Sequence, residues 1–230
     1  MMKVVAIDGP VGVGKSTVAS LVAAELGFRH LDTGAMYRAV AYRLMKQPAE
    51  LQSNADVMAD LAYRLRISLE TDGRVFVDGE DITQAIRDEA VSRFVSRVAD
   101  VRAVREALVA QQRRIGADRP SVLEGRDIGT VVFPDAACKI YLDASPDVRV
   151  ERRVAQLRAS GRHADPAEVR ANLLERDARD RIRPWGALRV ADDAIVVDST
   201  SFDQDRVVEI ICALVRENPV FGLTAPEPVA

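Results

Sequence analysis

Residues 3–26 read KVVAIDGPVGVGKSTVASLVAAEL, and the fold turns on this stretch. Val4 to Ile7 is an unbroken apolar run ending in Asp8-Gly9-Pro10, as expected of a central strand of a parallel sheet, buried on both faces, that stops abruptly. A helix follows at once. Gly9, Gly14, Lys15 and Ser16 fit G-x-x-x-x-G-K-[ST], and Gly12 adds a position where backbone can approach a ligand without interference from a Cβ. A loop of this kind, here Gly9-Pro10-Val11-Gly12-Val13-Gly14-Lys15-Ser16-Thr17, wraps phosphate. Its successive N–H groups and the positive helix end near Lys15 favour an anion, Lys15 reaches the outer phosphates, and the Ser16 hydroxyl can ligate Mg²⁺. Two other readings stand beside this one. The glycines could form an ordinary turn between strand and helix, or Gly12-Val13-Gly14 could open a dinucleotide site with Asp32 at the spacing of a ribose-binding acid. Thr17 in the third glycine's place and a Lys-Ser pair with no task in dinucleotide binding favour a nucleoside triphosphate.

With 230 residues, 48% of them hydrophobic, the chain can bury a substantial core as one domain with insertions or as a core plus a small subdomain. No apolar stretch approaches the roughly 18 residues of a membrane span, and Met1-Met2-Lys3-Val4 enters a strand directly, so a cytoplasmic protein without membrane partners is expected. Cys138 and Cys212 lie in separate apolar runs with no His at ligand spacing, which points to core thiols. A net charge of −3 argues against nucleic acid as a partner.

Strands are expected at 28–31, 121–124, 139–142 and 194–197 after the first, and helices at 36–46, 55–65, 99–114, from Pro146 to about Ser160, and at 203–217. Around Thr71-Asp72-Gly73 and Asp78-Gly79 the period changes to two, with Ile67, Leu69, Val75 and Val77 apolar, which predicts a small antiparallel insertion within 63–90. Two stretches should emerge at the carboxyl edge of the sheet, where open α/β folds bind ligands: Asp32-Thr33-Gly34-Ala35-Met36-Tyr37-Arg38 and Gly125-Arg126-Asp127-Ile128-Gly129. For each the plainer possibility is a capping or turn Asp with a solvated Arg. From Arg149 to Arg189 there are eleven arginines against six acids, in two helices joined by residues 161–165. This is either a solvated, salt-bridged helical pair or a mobile lid that brings arginines onto phosphates.

Five strands alternating with helices, an antiparallel insertion and an arginine-rich helical pair suit a kinase. Neither the guanine-reading Asn-Lys-x-Asp of switch GTPases nor a transport-ATPase Leu-Ser-Gly-Gly-Gln occurs. IDGPVGVGKST, LDTGAMYRA, EGRDIGTVVFPDA, KIYLDAS, ERDARDRIR and AIVVDST, in this order over about residues 2–215, resemble the bacterial cytidylate kinase family. Glu124, where many members have Asp, and the Arg183-Pro184-Trp185 run depart from its pattern.

The resemblance implies an α/β phosphate-loop kinase core: a five-stranded parallel sheet flanked by helices, the antiparallel insertion in the monophosphate-binding region, and a helical lid. It divides the chain into core 1–35, monophosphate-binding region 36–95, core 96–151, lid 152–171 and core 172–217, while Pro219, Pro226 and Pro228 beyond Asn218 point to a disordered tail 218–230. The implied reaction moves the γ-phosphoryl group of ATP, with Mg²⁺ at Ser16, onto CMP or dCMP, in a monomer. Lys15, Arg126 and Arg183 would be catalytic and residues 9–17 would hold ATP. Arg38, Arg126 and Arg183 would take the CMP phosphate. Thr33, Arg105 and Asp127 would read cytosine, and Ser96, Arg176 and Asp180 would reach the sugar, with Asp32 and Tyr37 in the same site. Arg153, Arg158 and Arg162 are lid candidates. A kinase for another small acceptor and a non-catalytic nucleotide-binding regulator remain as alternatives.

Overall fold

The computed structural model describes residues 2–223. In chain order its elements are β1 (Met2–Asp8), α1 (Lys15–Leu26), β2 (Arg29–Asp32), α2 (Thr33–Met45), α3 (Ala55–Arg64), β3 (Ile67–Leu69), β4 (Val75–Val77) and β5 (Glu80–Asp81). These are followed by α4 (Glu89–Ala99), α5 (Arg102–Gly116), β6 (Ser121–Gly125), β7 (Ala136–Asp143), α6 (Pro146–Ala159), α7 (Pro166–Ile182), β8 (Ile195–Asp198) and α8 (Gln204–Glu217). The chain forms two units, one from residues 1–29 and 119–230, the other from residues 30–118.

The parallel sheet has the order β2-β6-β1-β7-β8. β1 is central, with Val5 opposite Val122 of β6 and Cys138 of β7, which is why its sequence is apolar without alternation. Val5, Ile7, Val122, Ile140 and Leu142 form one core with Val18, Ala19 and Val22 of α1 and Val207, Ile211 and Val215 of α8. α6 starts at Ser145, which caps Val148 N–H, and at Pro146. α7 starts at Asp165, which caps Ala167 N–H, and at Pro166. Val150 and Val154 of α6 meet Ala164, Val169 and Leu173, a small core that holds the two helices as a hairpin.

The expected disorder from Asn218 does not hold for residues 218–223. Asn218 Nδ2 donates to the Ala137 carbonyl at 2.7 Å, and Lys3 Nζ donates to that of Phe221. Phe221 is buried, its ring centroid 5.6 Å from that of Phe28. An aromatic side chain at this point gains more by covering the sheet end than the Pro-containing backbone gains from freedom. Residues 224–230 of that expected tail lie outside the described residues.

In the second unit α2 packs on α3 and α4, and α5 on α3, around Met36, Val40, Leu44, Met58, Val77, Ile86, Val95 and Leu108. The antiparallel sheet β3-β4-β5 pairs Ile67 with Val77 and Leu69 with Val75, and Asp78 (φ 52°) with Gly79 (φ 87°) makes the tight turn to β5. The expected helix 99–114 is α5, which starts at Arg102, and it is preceded by a helix that the sequence reading did not assign, α4, capped by Asp88 and carrying Ser96. Residues 30–35 and 96–118, which the expected division counted with the core, fall within this unit, where Val98, Val104 and Leu108 complete the apolar interior.

Candidate active site

The turn after β1 demands glycine at position 9 and favours it at 12 and 14. A Cβ on Gly9 would lie 2.1 Å from the Leu142 carbonyl oxygen, and Gly9, Gly12 and Gly14 have φ of 152°, 83° and 93°. Gly14 is the N-cap of α1 and offers no side-chain acceptor, so the opening N–H groups of that helix are left for an anion. Buried Lys15 folds over the loop and donates from Nζ to the carbonyls of Gly9 (2.8 Å) and Pro10 (2.6 Å). Burial first, and then the neighbouring Arg126 and Arg176 guanidiniums, pull its ammonium well below its ordinary pKa, against the opposite pull of Glu124 and Asp8. Phosphate oxygens at this place would restore the charged form. Ser16 Oγ donates to Glu124 Oε2 at 2.8 Å, so two hard oxygen donors meet at the ends of the loop and of β6.

Arg126 and Arg183 come together on one carboxylate. Asp180 accepts from Arg126 Nε at 2.9 Å on Oδ2 and from Arg183 Nη2 at 2.7 Å on Oδ1. Burial would raise the Asp180 pKa, but Arg126 and Arg183 lower it further than that, so Asp180 is a fixed anion that aims two arginines. Each of its oxygens keeps a lone pair that a sugar hydroxyl could use. Asp127 is buried directly after Arg126, where its carbonyl receives Val131 and Val132 N–H in the wide turn Ile128–Val132.

In the second unit the Asp-Thr-Gly-Ala-Met-Tyr-Arg segment is a compact device. Asp32 caps α2 by accepting from Ala35 N–H at 3.0 Å and pairs with Arg38 Nη2 at 2.6 Å. Burial raises the Asp32 carboxyl, and Arg38 with the Ala35 N–H more than reverses this, leaving its pKa below the ordinary value. Gly34 fits closely, because a Cβ there would stand 3.0 Å from Asp32 Oδ1 and 3.1 Å from Arg38 Nη1 and the ends of both side chains would have to give. Thr33 is buried at the start of the helix. Arg105, also buried, stacks over the Tyr37 ring at 5.3 Å and donates to the Ala99 carbonyl at 3.3 Å. Ser96 is half-buried on α4.

The arginine-rich pair is less of a surplus than its count suggests. Arg149 is buried against fully buried Asp177; Arg170 pairs with Asp147 and Arg179 with Glu175. Among the lid candidates, Arg153 donates to Gln156 (2.6 Å) and Arg162 to Ser160 (3.1 Å), both locally, and Arg158 is exposed. Arg176 is half-buried on α7.

Sequence reasoning did not assign Asp8. Its carboxylate ends β1 and accepts from Ile128 N–H at 2.8 Å and Gly129 N–H at 2.7 Å, so it ties the phosphate-loop strand to the turn after Arg126-Asp127. Burial pushes its pKa up to about 6. Its position at a strand's carboxyl end, like that of Glu124, was the available signal.

The model of the family described as cytidylate kinase matches residues 5–217. The chain is 45% identical over 214 residues to a cytidylate kinase of Rhodopirellula baltica, covering 93% of each chain. It is 47% identical over 215 residues to one of Pelotomaculum thermopropionicum, covering 92% of this chain and 95% of the relative. An uncharacterized protein of Eubacterium ventriosum, known from its crystal structure, shares the fold at TM-score 0.51 and 15% identity, with 92% of this chain and 97% of that one covered. The phosphate loop and the two Arg-Asp segments therefore sit in a chain that belongs to the cytidylate kinase family.

Proposed function

We propose that the protein transfers the γ-phosphoryl group of ATP to CMP or dCMP, forming ADP and the corresponding diphosphate. The family match over residues 5–217 carries this reading, because a phosphate loop specifies a donor and leaves the acceptor open. The acceptor's phosphate oxygen is already anionic, so no general base is needed. The protein's task is to neutralise charge, hold the attacking and leaving oxygens in line and exclude water.

Residues 9–17 hold the ATP phosphates through backbone N–H groups, and Lys15 transfers its hydrogen bonds from the Gly9 and Pro10 carbonyls to phosphate oxygens. Ser16 Oγ and Glu124 fit Mg²⁺, a hard cation that takes one or two protein oxygens beside substrate phosphates and water. Among the described residues no cluster of three or more His, Cys, Asp or Glu could hold a metal unaided. When bound, Mg²⁺ would neutralise charge on the β- and γ-phosphate oxygens. In the first unit, Arg126 and Arg183, both held by Asp180, serve the transferring and acceptor phosphates, Asp127 the cytosine, and Arg176 with Asp180 the sugar. In the second, Arg38 held by Asp32 serves the acceptor phosphate, Thr33, Tyr37 and Arg105 the base, and Ser96 the sugar. Arg153, Arg158 and Arg162 close over the phosphates. No helix among the described residues is long and apolar enough to cross a membrane.

ADP release with a panel of acceptors tests the reading. CMP and dCMP should stimulate it, and UMP, AMP, GMP and shikimate should do so poorly. If no cytidine nucleotide stimulates ADP formation, the assignment fails. Base selection adds a sharper arm. Cytosine offers an amino donor where uracil offers a carbonyl acceptor, and a carboxylate such as Asp127 can only accept. kcat/KM for CMP should exceed that for UMP by roughly 10⁴-fold, and Asp127→Asn should narrow the gap mainly by damaging CMP use. Equal losses for CMP and UMP would remove Asp127 from base reading.

A further inference from the structure

The phosphate loop is gripped from two sides, and its successive Pro10–Val11 and Val11–Gly12 peptides are held in opposite directions. In a trans peptide the C=O and the following N–H point in opposite directions. The Pro10 carbonyl turns inward to Lys15 Nζ, so the N–H of Val11 turns outward, where it donates to Asp177 Oδ1 at 3.1 Å. The next peptide is reversed. The Val11 carbonyl accepts from Arg149 Nη1 at 3.2 Å, and the N–H of Gly12 is therefore sent to the other side. The Val13 carbonyl accepts from Arg152 Nη1 at 3.3 Å, which does the same for the N–H of Gly14. Arg149 and Asp177 are themselves an ion pair, 4% and 1% exposed at their side chains. Arg152 is anchored behind by Ser199, with Nη1 2.9 Å from Oγ and Nη2 2.8 Å from the carbonyl. A Cβ on Gly12 would touch Arg149 Cβ at 3.4 Å, so the loop lies directly on this support.

We propose that Arg149, Arg152 and Asp177 are positioning residues for the phosphate loop: by fixing the peptide planes of Val11 and Val13 from outside, they aim the Gly12 and Gly14 N–H groups at the ATP phosphates. Two of the arginines in the basic stretch 149–189 thus act on backbone and not on substrate. The cost of keeping Arg149 and Asp177 charged inside the protein is consistent with a task beyond packing, since a buried pair is commonly no more stable than apolar residues of the same volume. The inference rests on the reading that residues 9–17 bind ATP.

Calorimetric titration with ATP and Mg²⁺, together with melting curves, separates aiming from mere stabilisation. Asp177→Ala should lower the melting temperature and weaken ATP binding. Arg149→Met combined with Asp177→Leu removes both charges and refills the space, so the melting temperature should recover while the ATP Kd stays at least about tenfold above that of the unchanged protein, as expected for misaimed binding groups. Recovery of both would overturn the proposal. Arg152→Met, in a half-buried side chain less able to unfold the protein, supplies a second arm. It should raise the ATP Kd by about threefold or more and speed hydrogen exchange at the Gly14 amide, consistent with loss of one net hydrogen bond. An unchanged Kd there counts against the proposal even if the double variant fails to fold. Failure of the unchanged protein to bind ATP would instead sink the phosphate-loop reading itself.

Discussion

The loop 9–17 and the segment 32–38 both present groups suited to phosphate, and they are built in opposite ways. In the first, the groups on offer are backbone: glycines give passage, and side chains from α6, α7 and the loop's own Lys15 hold peptide planes. In the second, they are side chains. Arg38 is presented by Asp32, whose carboxylate also caps the helix by accepting from the Ala35 N–H. A backbone-built site tolerates little change in shape, because a peptide has no rotamer to escape into. A side-chain-built site can yield by rotation.

Removing charge from the backbone-built site should have the largest effect. Lys15→Ala should lower kcat by about a thousandfold, the order contributed by one cation in phosphoryl transfer, with little change in the melting curve. Near-normal turnover in a folded variant would take Lys15 out of the mechanism. Adding one methyl to each region contrasts them directly. Gly9→Ala drives a Cβ to 2.1 Å from a β7 carbonyl oxygen that cannot move without the sheet, and should cost about 3 kcal/mol or more along with ATP binding. Gly34→Ala meets the ends of two side chains at 3.0 and 3.1 Å. It should cost about 1 kcal/mol, and raise KM for CMP while leaving KM for ATP nearly unchanged. Equal losses from the two substitutions would erase the distinction drawn between the regions.

The same contrast explains what could be read from the sequence. Glycine spacing encodes a backbone site directly, and the strand before the loop and the helix after it follow from apolar pattern alone, so β1, the loop and α1 were legible. Asp32, Gly34 and Arg38 were legible as a segment, but not the reason for Gly34, which is the width of an ion pair. Arg149 and Asp177 were hidden inside a charge count, which cannot tell an inward pair from a solvated one. Asp8 was hidden because its partners, Ile128 and Gly129, lie far along the chain. α4 was missed although Val91, Val95 and Val98 have helical spacing, because Asp100-Val101 breaks the helix without Gly or Pro. The order around Phe221 was not legible because prolines flank it in the sequence and its partner Phe28 stands at the other end of the chain.

Asp8 belongs to both styles of construction, a side chain that fixes backbone, and it yields the smallest predicted effect. Burial is the main reason its pKa rises from 3.8 to about 6; neighbouring Asp127 adds to the rise, while the Gly129 and Ile128 N–H groups and Lys15 oppose it. The folded protein therefore binds this proton more tightly than the unfolded chain does. Ionised Asp8 is a stability cost above pH 6, on the order of 3 kcal/mol when fully charged, and the cost is relieved as pH falls through 6 toward 3.8. Between pH 7 and pH 5 stability should rise by about 1 kcal/mol, a shift of roughly 2–4 °C in melting temperature for a chain of this size. Asp32 and Asp180, whose pKa values are lowered, act in the opposite sense but only below the ordinary carboxylate pKa of 3.8, so the two windows do not overlap. Activity should move against stability. Protonated Asp8 is a weaker acceptor for the two N–H groups, the turn carrying Arg126 and Asp127 loosens, and kcat should fall as pH drops through about 6. Asp8→Asn removes the titration while keeping the shape, so its melting temperature should be level across this range and its kcat low throughout. A wild-type melting temperature that falls steadily from pH 7 to pH 5 would mean that burial does not hold the Asp8 pKa up, and a kcat that stays level over the same range would take the carboxylate clamp between β1 and the Arg126-Asp127 turn out of the mechanism.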